Sequence, residues 1–181
     1  MQIRLAQRSD APRLRQLFYD TVHQVNIQDY SLAQVNAWAP ALSDPQSWQP
    51  KFAHQWTLIA EEVAEDIAEE VVAEETFQIL GFCELQQDGH IGCFYCHAQH
   101  QRQGVGSFLL RHLEAIALQQ GLCCLYTEAS ITAKPFFEHW GFRVMQVQDV
   151  ERRGVLLRNF VMEKALTLGK ELAVDKGLEN N

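Results

Sequence analysis

Ile3 and Leu5 alternate with polar neighbours across Met1–Ala6, and this period of two predicts a short strand. The spacing then changes. Leu14, Leu17, Phe18 and Val22 fall three and four residues apart, which predicts a helix entered at Ser9 with Pro12 in its first turn. Ser31-Leu32-Ala33-Gln34 has the form of a capping box and predicts a second helix start. Ala39 to Lys51 holds Pro40, Pro45 and Pro50 and reads as a loop. Strands are predicted at Trp56 to Ala60, Phe77 to Leu85 and His90 to His97, with Asp88-Gly89 as the turn between the last two. Val105, Phe108, Leu109, His112, Leu113, Ile116 and Ala117 share one face of a helix over Gly104 to Gln120, stopped by Gly121. The apolar run Leu122 to Thr127 predicts a strand buried on both sides. A short helix from Thr132 to Trp140 and a hairpin, Phe142 to Arg152 and Val155 to Lys164 around Arg153-Gly154, complete the order. The pattern is that of a mixed α/β domain.

Length bounds the domain count. With 181 residues the chain suits one domain with an appendage, here residues 1–165 followed by a tail at 166–181. The net charge of −8 is concentrated in one place. Residues 61 to 75 hold eight acids and no base, and the other fifteen acids balance the fifteen Lys and Arg. The segment 61–76 is therefore expected to be an insertion between the second and third strands. Val63, Ile67 and Val71 lie four apart in it, so a solvated hairpin insertion and a partner-binding arm both stay open. No basic patch is present, which argues against nucleic acid as a partner. The longest apolar run is five residues, Leu122 to Tyr126, so no membrane span is expected. With no visible export signal, a cytoplasmic protein, monomer or homodimer, is the expectation.

Five cysteines in such a chain read as reduced, buried thiols, including the adjacent Cys123 and Cys124. Cys93-Phe94-Tyr95-Cys96-His97 matches the spacing of covalent haem attachment. The segment also reads as a strand, in which positions three apart face opposite sides, so the two thiols should diverge. No metal or haem is expected.

Gln101-Arg102-Gln103-Gly104-Val105-Gly106-Ser107 lies between a strand and the strongest helix. A helix N-terminus offers unpaired amides and a partial positive charge, which suit a phosphate. A Walker loop would need Gly-Lys-Ser/Thr, which is absent, and a dinucleotide fingerprint would need glycine where Leu109 stands. Gln-x-x-Gly-x-Gly remains, and it resembles the pyrophosphate loop of the GNAT N-acetyltransferases. The chain is similar to that family over residues 1–165, and most to small bacterial members that carry Glu128-Ala129-Ser130-Ile131-Thr132-Ala133-Lys134-Pro135-Phe136-Phe137-Glu138 before Gly141-Phe142. Tyr30-Ser31, Gln34, Ala37-Trp38 and Glu151-Arg152-Arg153-Gly154 extend the likeness.

The resemblance implies a mixed, mostly antiparallel twisted sheet with flanking helices, splayed between strands 4 and 5. It implies acetyl-CoA as cosubstrate and an amine of a small molecule or protein as acceptor. The backbone of Phe94, Tyr95 and Cys96 would meet pantetheine, and one amide there would polarise the thioester carbonyl. Arg102, Gln103, Gly104, Val105, Gly106 and Ser107 would hold the pyrophosphate, and Ser130, Lys134 and Phe137 would line the cofactor. The chain departs from the family at two places: Phe137 stands where many members have an acidic tyrosine, and Gly92 where relatives often have aspartate. An ammonium acceptor with a pKa of about 10.4 must still lose a proton. Glu84, Glu128 and Tyr30 are the candidate catalytic groups: Glu84 is first for the base, with Glu128 and Asp29 behind it, and Tyr30 is a candidate to line the acceptor pocket or act as acid. A CoA-binding module without turnover is the alternative.

Overall fold

Among the described residues, two antiparallel sheets, one of four strands and one of three, meet along a short seam. The computed structural model describes residues 1–41, 55–63 and 77–167. In chain order the elements are β1 (Gln2–Leu5), α1 (Ala11–Gln24), α2 (Leu32–Trp38), β2 (Gln55–Val63), β3 (Phe77–Gln86) and β4 (Ile91–Cys96). They continue with α3 (Val105–Gln119), β5 (Cys124–Ser130), α4 (Lys134–His139), β6 (Arg143–Arg152) and β7 (Val155–Ala165). The first sheet runs β1-β2-β3-β4 and the second β5-β7-β6. Most of the loop expected from Ala39, residues 64–76 of the acidic segment, and residues 168–181 of the tail lie outside the described residues.

The predicted element order holds, and several local signals act as expected. Ser31 and Gln34 form both bonds of the capping box that opens α2. Arg153 and Gly154, at φ 52° and 77°, make the left-handed turn of the β6–β7 hairpin. Ser9 does not cap α1. It sits in a 3₁₀ turn, Arg8–Asp10, and the helix begins after Asp10, whose carboxylate accepts from the Gln7 amide.

Helices cover both faces of the first sheet. Leu14 and Leu17 of α1 pack on Ile59, Ile79 and Phe82, while Leu109, Leu110 and Leu113 of α3 pack on Leu58, Leu80, Cys83 and Leu85. Neighbouring residues of β2 and β3 therefore enter opposite cores, and every residue from Ile79 to Leu85 is buried. Burial on both sides was expected of Leu122 to Thr127 instead. There the strand begins only at Cys124 and its exposure alternates, with Leu125, Thr127 and Ala129 buried while Cys124, Tyr126 and Glu128 are more open. Cys123 is exposed and Cys124 only half-buried, so neither is a core thiol; Cys83 is the fully buried one. All five cysteines are free.

The acidic segment also starts later than expected. Glu61 and Glu62 belong to β2, and Glu61 is buried against Arg4. No described helix is long and apolar enough to cross a membrane.

Candidate active site

The β3–β4 hairpin turns at Gly89, whose carbonyl accepts from Tyr126 N at 3.1 Å. Next to it His90 bridges Tyr126 in parallel, and Thr127 Oγ1 donates to Ile91 O at 3.0 Å. Beyond these contacts β4 and β5 part. The gap between them continues to the start of α3, along α4 and under the end of α1, with a volume of about 1040 Å³.

The register explains what β4 presents to that gap. Cys83 pairs with Phe94 and Leu85 with Ile91, so Gly92 and Cys93 share Glu84 as partner in a β-bulge. Past the bulge, His97 N donates to Leu80 O at 2.8 Å. Alternation along an antiparallel ladder then turns the amides of Phe94 and Cys96 to the open edge and that of Tyr95 toward β3. Two of the three expected backbone positions thus face the cleft. Tyr95 lines it only with its side chain, which packs against Phe18, Phe82 and Trp38. Cys93 packs toward α1 and Cys96 toward α3, so the paired thiols diverge, and no group of three metal-ligating side chains exists among the described residues. Burial pushes the Cys96 thiol up to about 12.

The glycine loop closes the open end of the gap. Gln101 Nε2 donates to Cys96 O at 2.7 Å and so pins the loop to the end of β4. Gly104, at φ 84°, is the N-cap of α3, and the first intrahelical bond is Phe108 N to Gly104 O. The amides of Val105, Gly106 and Ser107 therefore have no partner inside the helix. A Cβ on Gly104 would meet nothing within 4 Å, so the cradle is open, whereas one on Gly106 would press on the Phe136 ring at 3.2 Å. Arg102 is exposed at its rim. Gln103 does not line the gap; its side chain is bound to Gln99 O and His100. These features suit a pyrophosphate followed by a pantetheine-like chain along the β4 edge.

The remaining expected residues divide. Ser130 lines the cleft and accepts from Ala133 N at 3.0 Å. Phe137 reaches the wall but is 1% exposed, packed on Phe94 and Phe142. Lys134 does not face the gap: it pairs with Glu138 at 2.6 Å and lies over the Phe160 ring. Glu84 is 3% exposed beneath Gly92, with Oε1 unpartnered, and does not line the cleft. Glu128 does, and its Oε2 lies 2.7 Å from His90 Nε2. His90 was not anticipated as a site residue; nothing local in the sequence ties it to a carboxylate 38 positions away.

Tyr30 is a tie between elements. Its hydroxyl donates to Arg158 O at 2.6 Å and accepts from Ile131 N at 2.9 Å, and burial raises its pKa. That placement commits its proton to a main-chain carbonyl, and Tyr30 does not line the cleft. Tyr30→Phe should strand both main-chain groups and cost about 2 kcal/mol, a fall of about 4–8 °C in a thermal melt.

The chain is similar to known proteins in sequence and in fold. Residues 26–165 match the family model described as an acetyltransferase (GNAT) domain. The chain is 32% identical to the uncharacterized N-acetyltransferase YafP of Escherichia coli over 162 residues, 90% of this chain and 94% of that one. A solved GCN5-related N-acetyltransferase of Rhodopseudomonas palustris is 30% identical, with TM-score 0.77 over 91% of this chain and 95% of its own. The PaiA N-acetyltransferase of Thermoplasma acidophilum, solved with coenzyme A, is 18% identical and shares the fold at TM-score 0.67, over 91% and 98% of the two chains.

Proposed function

Because the chain belongs to the GNAT acetyltransferase family, we propose that it moves an acetyl group from acetyl-CoA to a primary amine by direct attack of that amine on the thioester. The family is one of acyltransferases with acetyl-CoA as cosubstrate. One observation carries the finer reading: the free edge of β4 leads from the β4–β5 seam straight to the unpaired amides of α3. Amides of Phe94 and Cys96 would hold the pantetheine and polarise the carbonyl oxygen where charge develops. Amides of Val105 to Ser107, with Arg102, would hold the phosphates. Cys96 supports direct attack, since a thiol with a pKa of about 12 stays protonated at neutral pH and is a poor nucleophile. A departing CoA thiol, with a pKa near 8.5, leaves without an acid at Phe137.

The test is a thermal titration with acetyl-CoA beside ATP, followed by CoA release across a panel of primary amines. Acetyl-CoA at about 100 times its dissociation constant should stabilise the fold by roughly 2.7 kcal/mol. ATP at matched concentration should do little, and at least one amine should accelerate CoA release. Equal stabilisation by ATP, or none by millimolar acetyl-CoA, defeats the assignment of the cleft. Tight binding with silence across the panel favours the binding module without turnover.

A further inference from the structure

The cleft holds one carboxylate among the described residues, Glu128, and it stands at the closed end, two residues past the Tyr126 bridge. Among the described residues, the only arginine or lysine lining it is Arg102, at the far, open end. An elongated donor with an anionic tail and an uncharged thioester fits that polarity, which leaves Glu128 facing whatever meets the thioester.

Glu128 is held in place with unusual thoroughness for a half-exposed side chain. Its Oε2 is 2.7 Å from His90 Nε2. The imidazole stacks on Tyr126 at 4.9 Å and 27°. Tyr126 donates its hydroxyl to Asp88 Oδ2 at 2.6 Å, and Asp88 Oδ1 accepts from His90 N at 3.1 Å. The hydroxyl bond from Tyr126 holds the Asp88 carboxyl below the usual range, and Asp88 in turn pushes the tyrosine up to about 12, so that pair stays charged and neutral respectively near pH 7. On its other side His90 Nδ1 faces the space a side chain at 92 would fill: a Cβ there would lie 4.0 Å from that nitrogen and 3.4 Å from both Glu84 Oε2 and Gln86 Nε2. The charged or titratable neighbours of His90 are thus Glu128 from β5, Glu84 from β3, and Asp88 and Tyr126 around the turn. None of the three carboxylates pairs with lysine or arginine among the described residues.

We infer that Glu128 receives the ammonium group of the acceptor and takes its proton, with His90 as the residue that positions it. The inference rests on the acetyl transfer proposed above. An N–H bond of the ammonium breaks and its proton passes to Glu128, which His90 can relieve by becoming imidazolium. The freed lone pair forms the C–N bond at the thioester carbon. The C–S bond breaks, sulfur leaves with the electron pair, and the second proton shed by nitrogen neutralises the thiolate. Gly92 is consistent with this role, since the carboxylate that the β4 position lacks is supplied from across the seam by β5.

The experiment needs no knowledge of the acceptor. Two thioethers of CoA, S-(2-aminoethyl)-CoA and S-propyl-CoA, differ only in ending on an ammonium or a methyl group. Calorimetric titration at pH 8 should show the ammonium thioether binding about tenfold more tightly to the wild type, as one well-placed charge pair allows. The preference should vanish in Glu128→Gln, while S-propyl-CoA binds wild type and variant alike, which shows the cleft intact. His90→Gln, which keeps a donor for Glu128, should retain more of the preference than His90→Ala, while S-propyl-CoA binds both variants as it binds the wild type, a pattern that loss of packing alone would not produce. Equal affinity of the two thioethers for the wild type overturns the proposal, as does a preference that survives Glu128→Gln. If neither thioether binds, the acetyl-CoA reading of the cleft fails and the proposal falls with it.

Discussion

Gly89→Ala is expected to cost about 3–5 kcal/mol and to lower the melting temperature by about 6–20 °C. Gly89 has φ 93°, and a Cβ built on it would overlap the carbonyl oxygen of Cys124. The neighbour is backbone in β5, so no rotamer change can relieve the overlap. The seam must open instead, and with it go Tyr126 N to Gly89 O and Thr127 Oγ1 to Ile91 O. These contacts join the two sheets at the closed end of the cleft, and their loss should also release His90 from Tyr126. Gly154→Ala is the control. It has φ 77° and nothing within 4 Å of the added Cβ, so it should pay the left-handed penalty alone, about 1 kcal/mol. Thermal melts of the two variants decide the matter: equal losses would mean that backbone conformation, not the seam, makes glycine necessary at 89.

The order of elements was legible because each rests on a local signal. The capping box at Ser31, the Asp88-Gly89 and Arg153-Gly154 turns and the apolar face of α3 are all read within a few residues. The glycine loop was legible for the same reason, since a left-handed residue before a helix is a local requirement. Where the other candidate side chains point depends on how the elements come together, which no short stretch shows. Glu84 looks like a solvated strand residue until α1 covers its face of the sheet, and then its neighbours are Gly92 and Gln86. Lys134 sits in a cofactor-lining motif, yet the turn of α4 sends it to Glu138 and Phe160. Tyr30 reads as a pocket aromatic, but its hydroxyl is spent on main-chain groups 101 and 128 residues away. His90 and Glu128 each look ordinary alone. Only the seam between the sheets makes them a pair.

The run of acids shows the same limit and yields the second large effect. Glu61 opens that run in the sequence, but β1–β2 pairing sets it beside Arg4, with only 2% of its surface exposed. Arg4 Nε donates to Glu61 at 2.8 Å, and its terminal nitrogens grip Asp10 at 2.6 and 2.8 Å. One guanidinium thus offsets two buried carboxylates, which Gln2 and the Gln7 amide support only in part. Arg4→Met should leave both uncompensated and cost about 2–4 kcal/mol, somewhat below a fully buried pair because Arg4 is itself 31% exposed. The pH dependence gives the check its sign. Burial, the largest single effect, would raise the Asp10 pKa, but the Arg4 bond, the Gln7 amide and the Arg4 and Arg13 charges together outweigh it and leave the group below its ordinary value. A depressed carboxylate adds stability above its unfolded pKa of about 3.9, and that stability is lost as pH falls through the folded value. Wild type should therefore lose its advantage over Arg4→Met as melts are taken from pH 7 toward pH 3. A variant that melts with the wild type at pH 7, or a gap that widens in acid, would show that the guanidinium does not hold these two acids in the fold.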